Sequence, residues 1–106
     1  MEKSNSRIET LRKFLVEDPA DDFSAYAMAL EFEKAGETKA AISQLEQIIH
    51  RNQEYLAAYY QLGNLLGKEN ETEKAADIYS RGMEVATRQK NQKTLNELRS
   101  ALEMLD

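Results

Sequence analysis

The chain has 106 residues and a formal charge of −5, from 14 Lys and Arg against 19 Asp and Glu. Ala, Glu, Lys, Leu and Arg supply 53 of those residues, against one Pro, four Gly, two Val and no Trp, which points to long helices or helical repeats and away from a sheet. Without Cys there is no disulfide, thiolate metal site or cysteine nucleophile, a single His leaves only His50 as an imidazole base, and the acidic balance argues against non-specific nucleic-acid binding.

The stretch Met1–Arg7 has no apolar core of the kind a signal peptide needs, and no apolar run approaches the ~20 residues that span a bilayer. The cytoplasm is therefore the expected compartment. Six amphipathic stretches follow one another, separated by short polar breaks. The first carries Ile8, Leu11, Leu15 and Val16, opens with Ser6 and Glu9 in capping-box spacing, and is stopped by Pro19. Asp21 or Asp22 caps a second stretch with Ala25, Met28, Ala29 and Phe32, which Gly36 ends. Thr38 is positioned to cap a third with Ala41, Ile42, Leu45, Ile48 and Ile49. The fourth runs from about Tyr55 to Gly67, the fifth from Thr72 to about Arg88, and the last from about Asn91 to Leu105, with Thr94 and Glu97 offering a later start. Breaks this short make neighbouring helices antiparallel.

Helices two and three resemble helices four and five at an offset of 34 residues. The offset aligns Tyr26 with Tyr60, Lys34 with Lys68, Glu37 with Glu71, Thr38 with Thr72 and Ala41 with Ala75. Side-chain size follows as well, in Met28/Leu62, Ala29/Gly63, Phe32/Leu66 and Leu45/Tyr79. Small residues at Ala29, Gly63, Ala41 and Ala75 let the two helices of a hairpin approach closely. Leu45 and Tyr79 are then expected to face the following hairpin.

A 34-residue helix–turn–helix period is the spacing of the tetratricopeptide repeat, which this chain resembles. That family's W-x2-L-G-x2-Y and A-x3-F pattern is matched by Tyr59-x2-Leu62-Gly63-x2-Leu66 and Ala75-x3-Tyr79, and more loosely by Ala25-x2-Met28-Ala29-x2-Phe32 and Ala41-x3-Leu45. The resemblance implies an all-α fold, a short right-handed superhelical array of antiparallel helix hairpins with about six helices. Residues 1–106 then form one domain: a leading half-repeat helix at 4–18, full repeats at 22–55 and 56–89, and a C-terminal capping helix at 91–105. In the leading helix Arg7 takes the slot of the small residue, as suits a hairpin whose other helix is missing. At a strict offset the last helix would bury Lys93, Asn96 and Ser100. A shift of two residues buries Leu95, Leu98 and Leu102 instead and puts Arg99 in the small slot.

No catalytic constellation is present. His50 reads as a surface residue at a helix end, Asp18, Asp21 and Asp22 as caps and loop solvation, and Arg88, Lys90 and Lys93 as a solvated helix end. Glu31 and Glu33 point to different faces and form no acid–base pair. The expectation is therefore a non-enzymatic protein without metal or cofactor. In proteins resembling this family the first helix of each repeat lines a concave groove that holds an extended peptide or a partner's helix. Carried over, the groove residues are Phe23, Tyr26, Leu30 and Lys34 in the first repeat, Tyr60, Asn64 and Lys68 in the second, and Lys93, Asn96 and Ser100 on the capping helix. Their spacing puts each set on one helix face. Phe23 and Tyr26 also have a plainer reading, as cover for the first helix. The Lys–Asn–Arg pattern by which some relatives clamp a terminal carboxylate is absent, since Tyr26, Leu30, Gln61 and Glu97 stand at its positions and only Lys93 matches. The expected ligand is a partly apolar protein segment with some acidic character, bound by a monomer rather than a homodimer. No nucleic acid or membrane is expected as partner. The alternative is a module that self-associates.

Overall fold

The computed structural model describes residues 2–105, with side chains from Ser6 onward. Among the described residues there are six α-helices and no strand: α1 (Glu2–Glu17), α2 (Asp22–Lys34), α3 (Thr38–Arg51), α4 (Leu56–Lys68), α5 (Thr72–Arg88) and α6 (Gln92–Glu103). They gather into two compact units, α1–α3 ending at Asn52 and α4–α6 beginning at Gln53. In the first unit α2 packs against both α1 and α3; in the second α5 packs against both α4 and α6, and α4 also meets α6.

Helix α1 starts at Glu2, so Ser6 lies inside it and not at its cap; the Ser6 carbonyl accepts the Thr10 hydroxyl at 3.0 Å. The helix closes at Glu17, two residues short of Pro19. Asp21 caps α2 as expected: its carboxylate accepts the Ser24 amide at 3.0 Å and the Ser24 hydroxyl at 2.6 Å.

Thr38 does not cap α3. It is the first helical residue, and Glu37 holds the cap position without a side-chain bond. The cause is a backbone turn that recurs three times. Gly36, Asn70 and Lys90 have left-handed φ values of +81°, +62° and +58°. After each, the next amide reaches back five residues, from Glu37 to Phe32 O (2.8 Å), Glu71 to Leu66 O (2.9 Å) and Asn91 to Ala86 O (2.9 Å). This closure satisfies carbonyls at the end of one helix and delivers the residue after the left-handed position as the cap of the next. Of the three, Asn91 also caps with its side chain, accepting the Thr94 amide at 3.0 Å. The Thr94–Glu97 pair therefore lies within α6. The expected shift of two residues is present: α6 starts at Gln92, 36 residues after α4 starts at Leu56, and α5 runs on to Arg88.

The first unit buries Ile8 and Leu11 of α1, Ala25, Met28 and Ala29 of α2, and Ala41, Leu45, Ile48 and Ile49 of α3. Val16, expected in the apolar stripe, is 77% exposed, because the face that Ile8 and Leu11 turn toward the core passes beside it. The second unit is built on two reciprocal contacts between α4 and α5. A Cβ on Gly63 would fall 2.8 Å from Tyr79 Cζ, and one on Gly82 would fall 2.7 Å from Tyr59 Cβ and 3.1 Å from Leu98 Cδ1. Each tyrosine lies over the other helix's glycine. Tyr79 thus packs within its own hairpin, contrary to the expectation that it faces the next one. The missing Cβ at Gly63 opens the space its ring fills. Leu98 is fully buried, whereas Leu95 and Leu102 are half-buried, so one leucine anchors α6.

Two substitutions separate these constraints. Gly63→Ala forces Tyr79 out of place and should cost about 1–3 kcal/mol. Lys90→Gly relieves the left-handed strain and should raise stability by about 0.5–1 kcal/mol, net of the greater freedom of unfolded glycine. Urea unfolding of both variants checks this, and a destabilising Lys90→Gly would contradict the turn assignment.

Candidate functional site

In the first unit Phe23 is 76% exposed, Tyr26 and Leu30 are half-buried, and Lys34 is exposed. Phe23 lines a cavity of about 560 Å³ between α1 and α2, with Arg7, Thr10, Leu11 and Phe14 on one wall and Asp21, Ser24 and Ala27 beside it on the other; Tyr26, Leu30 and Lys34 are not part of that lining. The walls are largely apolar, and Phe14 itself is half exposed.

Beside this cavity lies an acid whose burial the sequence does not announce. Glu31 is buried on α2, and its Oε2 accepts Arg7 Nε at 3.0 Å and lies 3.5 Å from Lys34 Nζ. Its Oε1 is buried without a hydrogen-bond partner. Burying a carboxylate is costly unless cations face it, and here two do. Arg7 in a slot meant for a small residue was the available clue: a guanidinium there needs an acid, and α2 supplies one. Lys34 therefore spends part of its charge inside the unit.

The aspartates have structural partners. Asp18 Oδ1 accepts the Ala20 amide at 3.1 Å. Asp22 fastens the start of α2 to the end of α3, accepting Arg51 Nη2 at 2.7 Å and Asn52 Nδ2 at 2.9 Å. The Ser24 hydroxyl, followed by the Ser24 amide, holds Asp21 below its ordinary pKa of 3.8. Among the described residues no group of three or more His, Asp or Glu is placed to hold a metal ion.

In the second unit three of the expected groove residues come together. Tyr60 of α4 and Asn96 and Ser100 of α6 line one shallow cavity of about 380 Å³, with Glu97, Ala101 and Met104. Tyr60 is 36% exposed. Met104, which the sequence reading passed over, is exposed at the rim. Asn96 Oδ1 also accepts Gln92 Nε2 at 3.0 Å and Arg99 Nη1 at 3.1 Å, which holds the amide on the helix surface. Asn64 is half-buried and its Oδ1 accepts the Tyr79 hydroxyl. That side chain orients the α4–α5 contact. Burial is the main reason the Tyr79 phenol titrates above its ordinary value, with Tyr60 adding to it. Lys68 and Lys93 are exposed and lie outside the cavity lining.

The basic cluster at the end of α5 is not simply a solvated helix end. Arg88 Nη2 donates to Glu54 Oε2 at 2.6 Å, and Gln89 Nε2 donates to the Glu54 carbonyl at 2.8 Å. Arg88 holds the Glu54 carboxyl below its ordinary value, and Glu54 in turn raises Arg88. Lys90 occupies the left-handed turn position. His50 is exposed on α3, on a surface lined by Ser43, Glu46, Gln47 and Arg51 of the same helix. No described helix is long and apolar enough to cross a membrane.

No family model and no curated protein matches the chain. Solved structures do. A crystal structure of a tetratricopeptide repeat domain protein from Salinibacter ruber is similar at 35% identity, over 81% of this chain and 100% of that one, with a TM-score of 0.77. A solution NMR structure of a tetratricopeptide repeat domain protein from the same organism matches at 35% identity over 84% of this chain and 90% of that one, with a TM-score of 0.80. The crystal structure of MamA protein matches at 24% identity over 94% of this chain and 61% of MamA, with a TM-score of 0.71, a likeness of fold alone.

The two depressed carboxyls give a pH dependence of defined sign. Each has a folded pKa below its unfolded value, so its stabilisation is complete above the unfolded pKa and is lost as the pH falls through the folded one. The melting temperature should therefore drop on acidification below the ordinary values of 4.5 for Glu54 and 3.8 for Asp21. The Asp21→Asn/Glu54→Gln double variant, which keeps both side chains able to hydrogen-bond, should lose less on going from neutral pH to about pH 3. An equal loss in the variant would contradict these roles.

Proposed function

Because the chain belongs to the tetratricopeptide-repeat family, we propose that it is a non-enzymatic protein-interaction module holding a peptide or helix of a partner protein on its α2, α4 and α6 faces. In this reading residues 1–106 act as one monomeric cytoplasmic domain, with repeats at 22–55 and 56–89 between a leading helix (4–18) and a capping helix (91–105). The contact residues are Phe23, Tyr26, Leu30 and Lys34 on α2, Tyr60, Asn64 and Lys68 on α4, and Lys93, Asn96 and Ser100 on α6.

The observation that carries it is the cavity shared by Tyr60, Asn96 and Ser100. An aromatic ring that helix packing leaves 36% exposed, next to an amide and a hydroxyl, is the kind of anchor that fixes a peptide's apolar side chain and backbone together. The exposed Lys93 favours a ligand with acidic residues. A terminal carboxylate is not the preferred group, because Tyr26, Leu30, Gln61 and Glu97 supply no cation where some relatives of the family have them.

The Tyr26→Ala/Tyr60→Ala variant should keep its helical circular dichroism and lose capture of the partner from native lysate by at least about tenfold. Undiminished capture would remove these faces as the binding surface.

A further inference from the structure

At the 34-residue offset, Arg7, Leu11 and Phe14 of α1 correspond to Ala41, Leu45 and Ile48 of α3 and to Ala75, Tyr79 and Gly82 of α5. In α3 and α5 every one of these positions is buried, α2 packing on α3 and α4 on α5. On α1 only Leu11 is buried; Phe14 is 48% exposed and the Arg7 side chain 61% exposed. The cavity between α1 and α2, floored by Leu11, Phe14 and Phe23, lies over this same register. Among the described residues, two of the three positions that a helix covers in α3 and α5, those of Arg7 and Phe14, stay open on α1.

We propose that this slot receives an amphipathic helix of a partner protein that carries a carboxylate facing Arg7. The register comes from the second unit. Tyr59 opposes Gly82 and Gly63 opposes Tyr79, so the antiparallel pair brings Leu66 opposite Ala75. A helix seated on α1 in that way sets one residue over Phe14, the fourth after it over Leu11, and the seventh after it over Arg7. The first two must be small or apolar. The third meets a guanidinium whose Nε is bonded to Glu31 and whose remaining N–H groups would be shut off from water by the incoming helix. Those N–H groups need an acceptor, and a carboxylate is the acceptor that also offsets the surplus charge of Arg7 and Lys34 over the single Glu31. A second copy of this chain fits poorly. Its α6, shifted by two residues, would put Arg99 over Leu11 and Leu102 over Arg7, which adds a cation and supplies no anion.

The inference goes beyond the proposed groove and does not rest on it. A suitable ligand is a stapled, fluorescently labelled peptide copying residues 22–35, in which Ala25, Ala29 and Phe32 fall over Phe14, Leu11 and Arg7. Two versions, carrying Phe32→Glu or Phe32→Lys, are titrated with the full chain by fluorescence anisotropy. The Glu peptide should bind at least about tenfold more tightly than the Lys peptide. Phe14→Ser should weaken the Glu peptide by at least about tenfold while leaving the melting temperature nearly unchanged, since the ring is half exposed already. Tyr60→Ala should leave this affinity unaltered. Absence of saturable binding, equal affinities for the two peptides, or indifference to Phe14→Ser would overturn the proposal. So would a homodimer in light scattering that Phe14→Ser dissolves, which would assign the slot to a second copy.

Discussion

The second unit depends on how closely α4 and α5 approach, and two glycines set that distance. Tyr79 lies over Gly63 and Tyr59 over Gly82, so each helix supplies both a ring and the gap that receives one. The rings then find polar partners at their tips, Tyr59 donating to the Gln53 carbonyl at 2.8 Å and Tyr79 to Asn64. Burial of an aromatic body with a satisfied hydroxyl combines a large apolar contribution with a fixed orientation. Leu98 reaches the same gap at Gly82, so the contact that joins α4 to α5 also seats α6. With Tyr59 turned inward, its neighbour Tyr60 is carried about 100° round the helix and emerges beside Asn96 and Ser100. Packing and the proposed binding face are thus two sides of one helix rotation.

The first unit achieves close approach differently. Ala29 stands where Gly63 does, at the other contact the sizes are exchanged, with Ala25 in place of Tyr59 and Ile48 in place of Gly82, and polar ties at its two ends replace the tyrosine tips. Asp22 clasps Arg51 and Asn52 at one end, while Glu31 pairs with Arg7 and Lys34 at the other. Glu31 is the weaker bargain, because one of its oxygens is buried without a partner. Its reward is positional: a buried acid opposite Arg7 fixes where α1 lies along α2.

Most of the helix plan could be read from local chemistry. Pro19, Asp21, Gly36 and the spacing of apolar positions set the elements, and the two-residue shift foretold where α6 begins, although the extra length lies in α5 and not in the connection after it. What escaped was decided by contacts between residues distant in sequence. Nothing local says that Tyr79 turns back onto Gly63, that Glu31 is buried, or that Arg88 meets Glu54. Asn70 and Lys90 took left-handed turn positions that the pattern of Gly36 predicts only once the three turns are superposed. Among the expected groove residues, Tyr60, Asn96 and Ser100 meet because they project from helices in direct contact. Asn64 was reachable from spacing alone, but its bond to Tyr79 depends on the tertiary fold.

The proposed contact puts a partner protein on the face of α4 and α6 that carries Tyr60 and not on the face of α5 that carries Ser80. Site-specific photo-crosslinking tests it most directly, with a photoreactive amino acid placed at Tyr60 in one variant and at the exposed Ser80 of α5 in another. A discrete cross-linked protein is expected from Tyr60 and none from Ser80. Cross-linking from Ser80 alone, or equally from both positions, would contradict it.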